Sequence, residues 1–447
     1  MGKGLRNIIG SFLVLLTLGI CGCGAKEIVS SDARDTLADV VRVESVTDLE
    51  EGMMEEEPEY FDTYTSIGDL AETYGIKLGA VIGAYEMMDG DYKELLTWHF
   101  NSLTASNEMK AYSLLDQRAS QNNEDGMPVM NYEAADRIVS FAEDNGIAVR
   151  GHTLVWDAYM ADWFFREGYE NAGEYVDTDT MKERLRYYIE EVIGHFERKY
   201  PGVVYCWDVV NEAVADNVAE CETGDARHIR MYRNGEDNPF YAYIGPDYVE
   251  LAFLYARDAV DKLKSENNEV DIKLFYNDYN TFYEEKRDAI CVLVESINSF
   301  SEDANGDNRK LCDGIGMQSY IGGYGQQAGC MNNSDLSKVE AAILQYFSMG
   351  LEVHATELAV RNYENDTYTM EKHAAFYRAL FEVYVKVNAG EDKPLTSVTI
   401  WGLCDNPWLS ESDYGYKMNG PYCGLFDQKY QIKDSFREVF ALLSSAK

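Results

Sequence analysis

Eight short apolar runs punctuate the chain, at 77–83, 100–105, 147–153, 203–210, 271–277, 312–319, 351–357 and 396–402. Each has the length of a strand and little apolar–polar alternation, the pattern of strands buried on both faces. Between them the apolar spacing changes to a helical period. In 181–199, Leu185, Ile189, Val192 and Phe196 share one face, and Thr180 and Glu183 in front have the spacing of a capping box. In 336–349, Leu336, Val339, Ile343 and Phe347 form the stripe, with Gly350 placed to cap the C-terminus. Strand–helix alternation repeated eight times predicts an α/β fold, a (β/α)8 TIM barrel in one domain over 63–447. A doubly wound open sheet is the alternative. It would carry a glycine-rich phosphate turn after its first strand, and Gly79-Ala80-Val81-Ile82-Gly83-Ala84 lacks that spacing.

Two of the runs end abruptly in carboxylates. Val203 to Val210 leads into Asn211-Glu212, and Leu351 to Thr356 leads into Glu357. In a barrel of this kind the C-terminal strand ends are where chemistry is done, because rigid strands hold the side chains and the loops beyond shape a cleft. Two carboxylates on two strand ends are the minimum apparatus for glycoside hydrolysis.

Composition narrows the picture. A hydrophobic fraction of 46% allows a sizeable core, and a net charge of −39 repels phosphate backbones, so no nucleic-acid partner is expected. Seven cysteines follow Cys23, an odd number without CxxC or Cys/His ligand spacing, so no metal site is expected and no disulfide pairing can be read. At the N-terminus, Lys3 and Arg6 precede an apolar segment, Ile8 to Ile20, that has signal-peptide length and is short for a membrane span. Small Gly22 precedes Cys23, whereas bulky Ile20 precedes Cys21. Residues 1–23 are therefore read as a lipoprotein-type signal with Cys23 lipidated, an ordinary secretory signal being the alternative. The acidic stretch 24–62 is read as a tether. The expected location is secreted or cell-surface, as a lipid-anchored bacterial envelope protein whose only membrane attachment is that anchor.

Taken together, the strand ends form an ordered set: His99 to Lys110, Arg150-Gly151-His152-Thr153-Leu154-Val155-Trp156, Trp207 to Glu212, Tyr276-Asn277-Asp278-Tyr279-Asn280, Asp313 to Ser319, Thr356-Glu357-Leu358 and Trp401-Gly402. The set resembles glycoside hydrolase family 10, the retaining endo-β-1,4-xylanases, from about residue 77 to 437. The resemblance implies an acid/base role for Glu212 and a nucleophile role for Glu357. It implies that Asn211 holds the sugar 2-hydroxyl, and that Asn107, Lys110, His152, Trp156, Gln318 and Trp401 line the subsites for the non-reducing part of the substrate. It implies a polysaccharide or oligosaccharide substrate and no cofactor, and a monomer is expected. Asp208 is read as a structural hydrogen-bonding residue. His195, His228, His354 and His373 are also read as structural.

The sequence departs from the family at several positions. Ser106 stands where the family has glutamate, and Ala111 where it has tryptophan, which loosens the pocket two sugars from the cut. Tyr320 replaces a histidine and Ala359 an aspartate; in the family these two hydrogen-bond each other beside the nucleophile. Losing both avoids stranding one as an unpaired buried group, so the Tyr320 hydroxyl is expected to take over the hydrogen bond to Glu357. Asp157-Ala158-Tyr159 replaces a His-Ser-Gln segment, and Trp408, the second aromatic over the cut site, falls one position early. These departures leave two alternatives: the same chemistry on another β-linked plant glycan, or a cell-surface glycan-binding protein with impaired catalysis.

Overall fold

The computed structural model describes residues 59–305, 309–322 and 334–445. The signal-type segment 1–23 with Cys23, most of the tether, and Cys330 lie outside the described residues.

Eight strands make the barrel: β1 (Lys77–Ile82), β2 (Ser102–Ala105), β3 (Ala148–Val155), β4 (Val204–Asn211), β5 (Lys273–Asp278), β6 (Gly314–Met317), β7 (Glu352–Val360) and β8 (Leu395–Ile400). Each pairs in parallel with the next, and β8 pairs with β1 to close the ring. All eight apolar runs of the sequence become barrel strands, with ends shifted by a few residues. Helices such as Thr178–Lys199, Tyr248–Glu266 and Thr367–Val387 intervene between strands and bury one apolar stripe each. Gly350 takes φ +76° just beyond the helix Ser334–Ser348, as a C-terminal cap requires.

Two local expectations are corrected. The helix at 178–199 is capped by Asp177, whose carboxylate accepts from the N–H groups of Asp179 and Thr180. Thr180 and Glu183 lie inside the helix, so the capping-box spacing is a coincidence in a run, Asp177-Thr178-Asp179-Thr180, where every residue is an eligible cap. The packed unit also begins earlier than residue 63. Tyr60 bridges to Gln431, and Phe61 is 8% exposed with its carbonyl 2.8 Å from His99 Nε2.

Inside the barrel the apolar fill is interrupted by one ionic chain. Arg150 on β3 forks onto both oxygens of Asp208 on β4, and its Nε donates to His354 Nδ1 at 3.2 Å. The His354 Nε2 lies 3.2 Å from Glu352 Oε1, which fixes the tautomer. The same Asp208 Oδ2 that Arg150 Nη1 reaches also lies 2.8 Å from His152 Nδ1. Gly151, between Arg150 and His152, leaves room for Trp207, since a Cβ there would lie 2.5 Å from the indole ring. Asp208 is therefore the structural anchor expected, and it fixes the His152 ring in the middle of β3.

The loop after β4 carries a small antiparallel hairpin, Tyr232–Arg233 against Glu236–Asp237. Asn234 and Gly235 turn it with φ of +54° and +84°, the two positive values that a two-residue hairpin turn demands. Among the described residues Cys206, Cys291, Cys312 and Cys423 are free thiols, no His/Cys/Asp/Glu cluster could hold a metal, and no helix is long and apolar enough to cross a membrane.

Candidate active site

The two carboxylates sit toward the C-terminal end of the barrel strands, Glu212 one residue past β4 and Glu357 within the last four residues of β7. Glu212 follows β4, and its N–H bonds to Asn277 O at 2.9 Å; Glu357 N–H bonds to Gln318 O at 3.1 Å. These bonds tie Glu212 to β5 and Glu357 to the residue after β6, and fix both backbones. Glu212 has φ +57°, a conformation sparsely used by residues with a side chain. Glu212 and Glu357 are 8% and 6% exposed, respectively.

An amide network joins them. Gln318 Nε2 donates to Glu212 Oε1 at 3.0 Å and to Asn211 Oδ1 at 3.3 Å. Asn277 Nδ2 donates to the same Asn211 oxygen and to Glu357 Oε1, each at 2.9 Å. Thr356 donates to Asn277 Oδ1 at 2.6 Å and so sets which way that amide faces. Gly316 makes this crossing fit, because a Cβ there would lie 2.3 Å from Asn277 Oδ1. With its oxygen committed to two donors, Asn211 keeps a buried Nδ2 that has no partner among the described residues. A ligand hydroxyl is the natural acceptor for it.

The second oxygen of Glu357 accepts from the Tyr320 hydroxyl at 2.6 Å. Tyr320 pairs in parallel register with Ala359, so the two departures from the family pattern are neighbours. Burial, then the charge of Glu357, pushes the Tyr320 hydroxyl well above its usual range, so it stays a donor.

Glu212 is held differently. Burial raises its pKa to about 6; the Arg233 charge and the Gln318 hydrogen bond pull it down, while Asp278 and Glu357 push it up. The Arg233 Nη1 donates to Glu212 Oε2 at 3.0 Å. A carboxyl near 6 can be protonated in weak acid and ionised above it, as a group that both gives and takes a proton must be.

The model of glycosyl hydrolase family 10 matches residues 66–442, a span that holds both carboxylates and the whole barrel. The chain belongs to glycosyl hydrolase family 10. Among its family 10 relatives, endo-1,4-beta-xylanase A of Thermotoga maritima is 35% identical over 376 residues, which is 82% of this chain and 30% of the relative. Endo-1,4-beta-xylanase Y of Acetivibrio thermocellus is 32% identical over 94% of this chain and 36% of the relative. The chain thus covers well under half of either. Endo-1,4-beta-xylanase of Geobacillus stearothermophilus, 30% identical, is covered over 98% of its length by 84% of this chain. Among solved structures, the CBM22-1–GH10 modules of Clostridium thermocellum endo-1,4-beta-D-xylanase 10B complexed with xylohexaose match with a TM-score of 0.69 at 30% identity, over 85% of this chain and 68% of that one. The intracellular xylanase TsXylA of Thermoanaerobacterium saccharolyticum matches at 0.65 and 29%, over 84% and 98%.

The remaining expected site residues fall into two groups. Asn107, Lys110, His152, Trp156 and Trp401 cluster beside Glu212 and Glu357. Lys110 Nζ donates to Asn107 Oδ1 at 3.1 Å, and the His152 ring centroid lies 6.3 Å from Trp156 and 6.1 Å from Trp401. Burial lowers the Lys110 pKa to about 8 against the opposing pull of Glu357, Glu212 and Glu108, so this amine feels both carboxylates. Trp408 stands apart, 73% exposed on the loop beyond β8. Four further residues gain a role only from the structure. Asn277 lies inside the Tyr276–Asn280 strand end, where nothing local marks it as a bridge between the carboxylates. Tyr159 packs 4.3 Å from Trp156 and lies 4.6 Å from Lys110 Nζ, and Tyr112 lies 5.4 Å from Tyr159. Arg233 belongs to no motif, although the Asn234-Gly235 dipeptide beside it is a hairpin signal.

Proposed function

We propose that this protein is a retaining endo-1,4-β-xylanase. The observation that carries the reading is the amide network that ties Glu212 and Glu357 to a single asparagine while leaving that asparagine's donor unpartnered among the described residues. In the first step Glu357 attacks the anomeric carbon and Glu212 delivers its proton to the departing glycosidic oxygen. In the second, Glu212 takes a proton from water, the water oxygen attacks the same carbon, and Glu357 leaves. Asn211 Nδ2 would meet the 2-hydroxyl, a contact that strengthens as the ring flattens toward the transition state. Xylan as substrate is supported by the names of the relatives and by the xylohexaose complex of the structural neighbour. Two carboxylates in one bonded network argue against a surviving role in binding alone.

The test is hydrolysis of xylan and xylo-oligosaccharides, with new reducing ends counted and the first-formed anomer read by NMR. The β-anomer is expected, and Glu212→Ala and Glu357→Ala should each lower turnover by about 10²–10⁴-fold or more. An α-anomer would overturn the double displacement, and intact xylan beside cleaved β-glucan would overturn the substrate. Binding without cleavage of any glycan would leave the non-catalytic alternative.

A further inference from the structure

The side chain that grips Glu212 comes from outside the barrel. Arg233 sits on the hairpin after β4, and its guanidinium faces two carboxylates. Nε and Nη2 fork onto Asp157 at 2.8 and 2.7 Å. Nη1 donates to Glu212 Oε2 at 3.0 Å and Nη2 to the Glu212 carbonyl at 3.1 Å. Asp157 is the residue just after Trp156, so the fork ties the end of β3 to the end of β4 across the acid/base. A fork on one carboxylate fixes the guanidinium plane. The remaining donors therefore point at Glu212 without freedom to follow it.

We propose that Arg233, locked by Asp157, is a positioning residue that holds the Glu212 carboxylate for the half-reaction in which it must be ionised and accept a proton from water. This rests on the double-displacement reading of the site. The logic is one of shared charge. Most of the Arg233 cation is spent on Asp157, so Glu212 receives a directed hydrogen bond and only a residual electrostatic pull. A guanidinium paired with Glu212 alone would favour the ionised form more strongly and impair the protonated form that the first step needs. No Arg233 at all would leave the buried carboxyl reluctant to ionise for the second step.

Other groups act on Glu212 from the surrounding elements. The Arg230 Nε reaches its carbonyl at 3.3 Å. Asp278, at the end of β5, and Glu357 on β7 raise it electrostatically, and Gln318 donates to it. Lys110, Tyr159, Tyr279 and Tyr320 also feel its charge. Arg233 differs from these in reaching the side-chain oxygen of Glu212 while being clamped by a second acid.

The experiment compares Arg233→Gln with Asp157→Asn. The alkaline limb of kcat/KM on xylo-oligosaccharides reports loss of the acid/base proton. It should move up by about one pH unit in Arg233→Gln, and down in Asp157→Asn, where the full cation falls to Glu212. With an aryl β-xylobioside whose leaving group needs no proton, Arg233→Gln should lower kcat and show a burst, because the second step has slowed. Arg233→Lys, which keeps the charge without the fork, should lie between. A purely structural clamp would lower stability in both variants and leave the limb in place; that result, or shifts of the same sign, overturns the proposal. Carbon-13 NMR titration of the Glu212 carboxyl reads the same opposed shifts without turnover. It therefore separates failure of this inference from failure of the xylanase reading, and variants that do not fold are replaced by Arg233→Lys in that titration.

Discussion

Strands β3 and β4 and the loops that follow them carry two arginine–carboxylate clusters with opposite outcomes. Inside the barrel, Arg150 forks onto Asp208, and His152 shares one of the same two oxygens. At the lip, Arg233 forks onto Asp157 and gives Glu212 what remains. Asp208 is fully buried, yet its pKa falls below the ordinary range, because Arg150 and His152 outweigh the burial that would raise it. Glu212 is nearly as buried and goes the other way, to about 6. Burial is common to both, so it does not make a carboxylate reactive. The deciding difference is saturation. Asp208 has a dedicated cation and no exposed surface, whereas Glu212 shares its cation with another acid and stays partly exposed.

The comparison is broken most severely by Asp208→Asn. Arg150 would then be a buried charge without its counter-ion, and removing one partner of such a pair destabilises by about 3–5 kcal/mol. Denaturant unfolding at neutral pH should show that loss. The folded-state pKa of Asp208 is depressed, so its contribution is complete above the unfolded value and fades as pH falls through the folded one. The gap between wild type and Asp208→Asn should accordingly narrow toward strong acid. An unchanged unfolding midpoint at neutral pH would remove Asp208 from the role of anchor.

The interior cluster and the lip are not equally legible in the sequence. Asp208 and Glu212 stand in one buried run, and the strand pattern alone places them at its core and its end. Glu357 is legible for the same reason. Tyr320 can be read because two departures, at 320 and 359, make sense only as a pair, and the register sets those residues side by side. Asn277 is hidden because its contacts, to Asn211 and Glu357, lie 66 and 80 residues away in the chain. Arg233 is hidden because hairpins inserted in loops carry no apolar period to announce them; its Asn-Gly turn is a usable signal, but nothing local says that the neighbouring side chain reaches back to Glu212. The misplaced cap at Thr180 has the opposite cause, an excess of local signal in a run of eligible residues.

A milder break is Tyr320→Phe. It deletes the donor to Glu357 Oε2 and keeps the ring against its neighbours. A hydrogen bond to a charged group contributes about 1.5–3 kcal/mol, so turnover should fall by about 10- to 100-fold if the bond orients Glu357 as the proposed nucleophile. The effect should appear in kcat more than in KM, and thermal unfolding should move little, since Glu357 faces the cleft and water can replace the hydroxyl. Wild-type kcat in Tyr320→Phe would mean that the Asn277 contact suffices to hold Glu357.

The smallest effect is also the one that sharpens the contrast, because its sign is opposite to that of Asp208→Asn. Glu212 has a folded-state pKa of about 6 against an ordinary value of 4.5. Well below 4.5 both folded and unfolded chains hold the proton and no penalty arises. As pH rises through that value the unfolded chain ionises first, and stability declines until the folded state ionises too near 6. A gap of that size corresponds to roughly 2 kcal/mol of destabilisation carried at neutral pH. Glu212→Gln keeps the shape and removes the ionisation, so it should raise the unfolding temperature at pH of about 7 to 8 and change it little near pH 4, while abolishing most activity. Two acids from one strand and its lip would then respond to neutralisation in opposite ways, Asp208 losing stability and Glu212 gaining it. If Glu212→Gln were instead destabilising at neutral pH, the Arg233 contact would be strong enough to make Glu212 a structural acid as well, and the distinction between a saturated and a shared cation would have to be redrawn around the Gln318 and Arg233 donors alone.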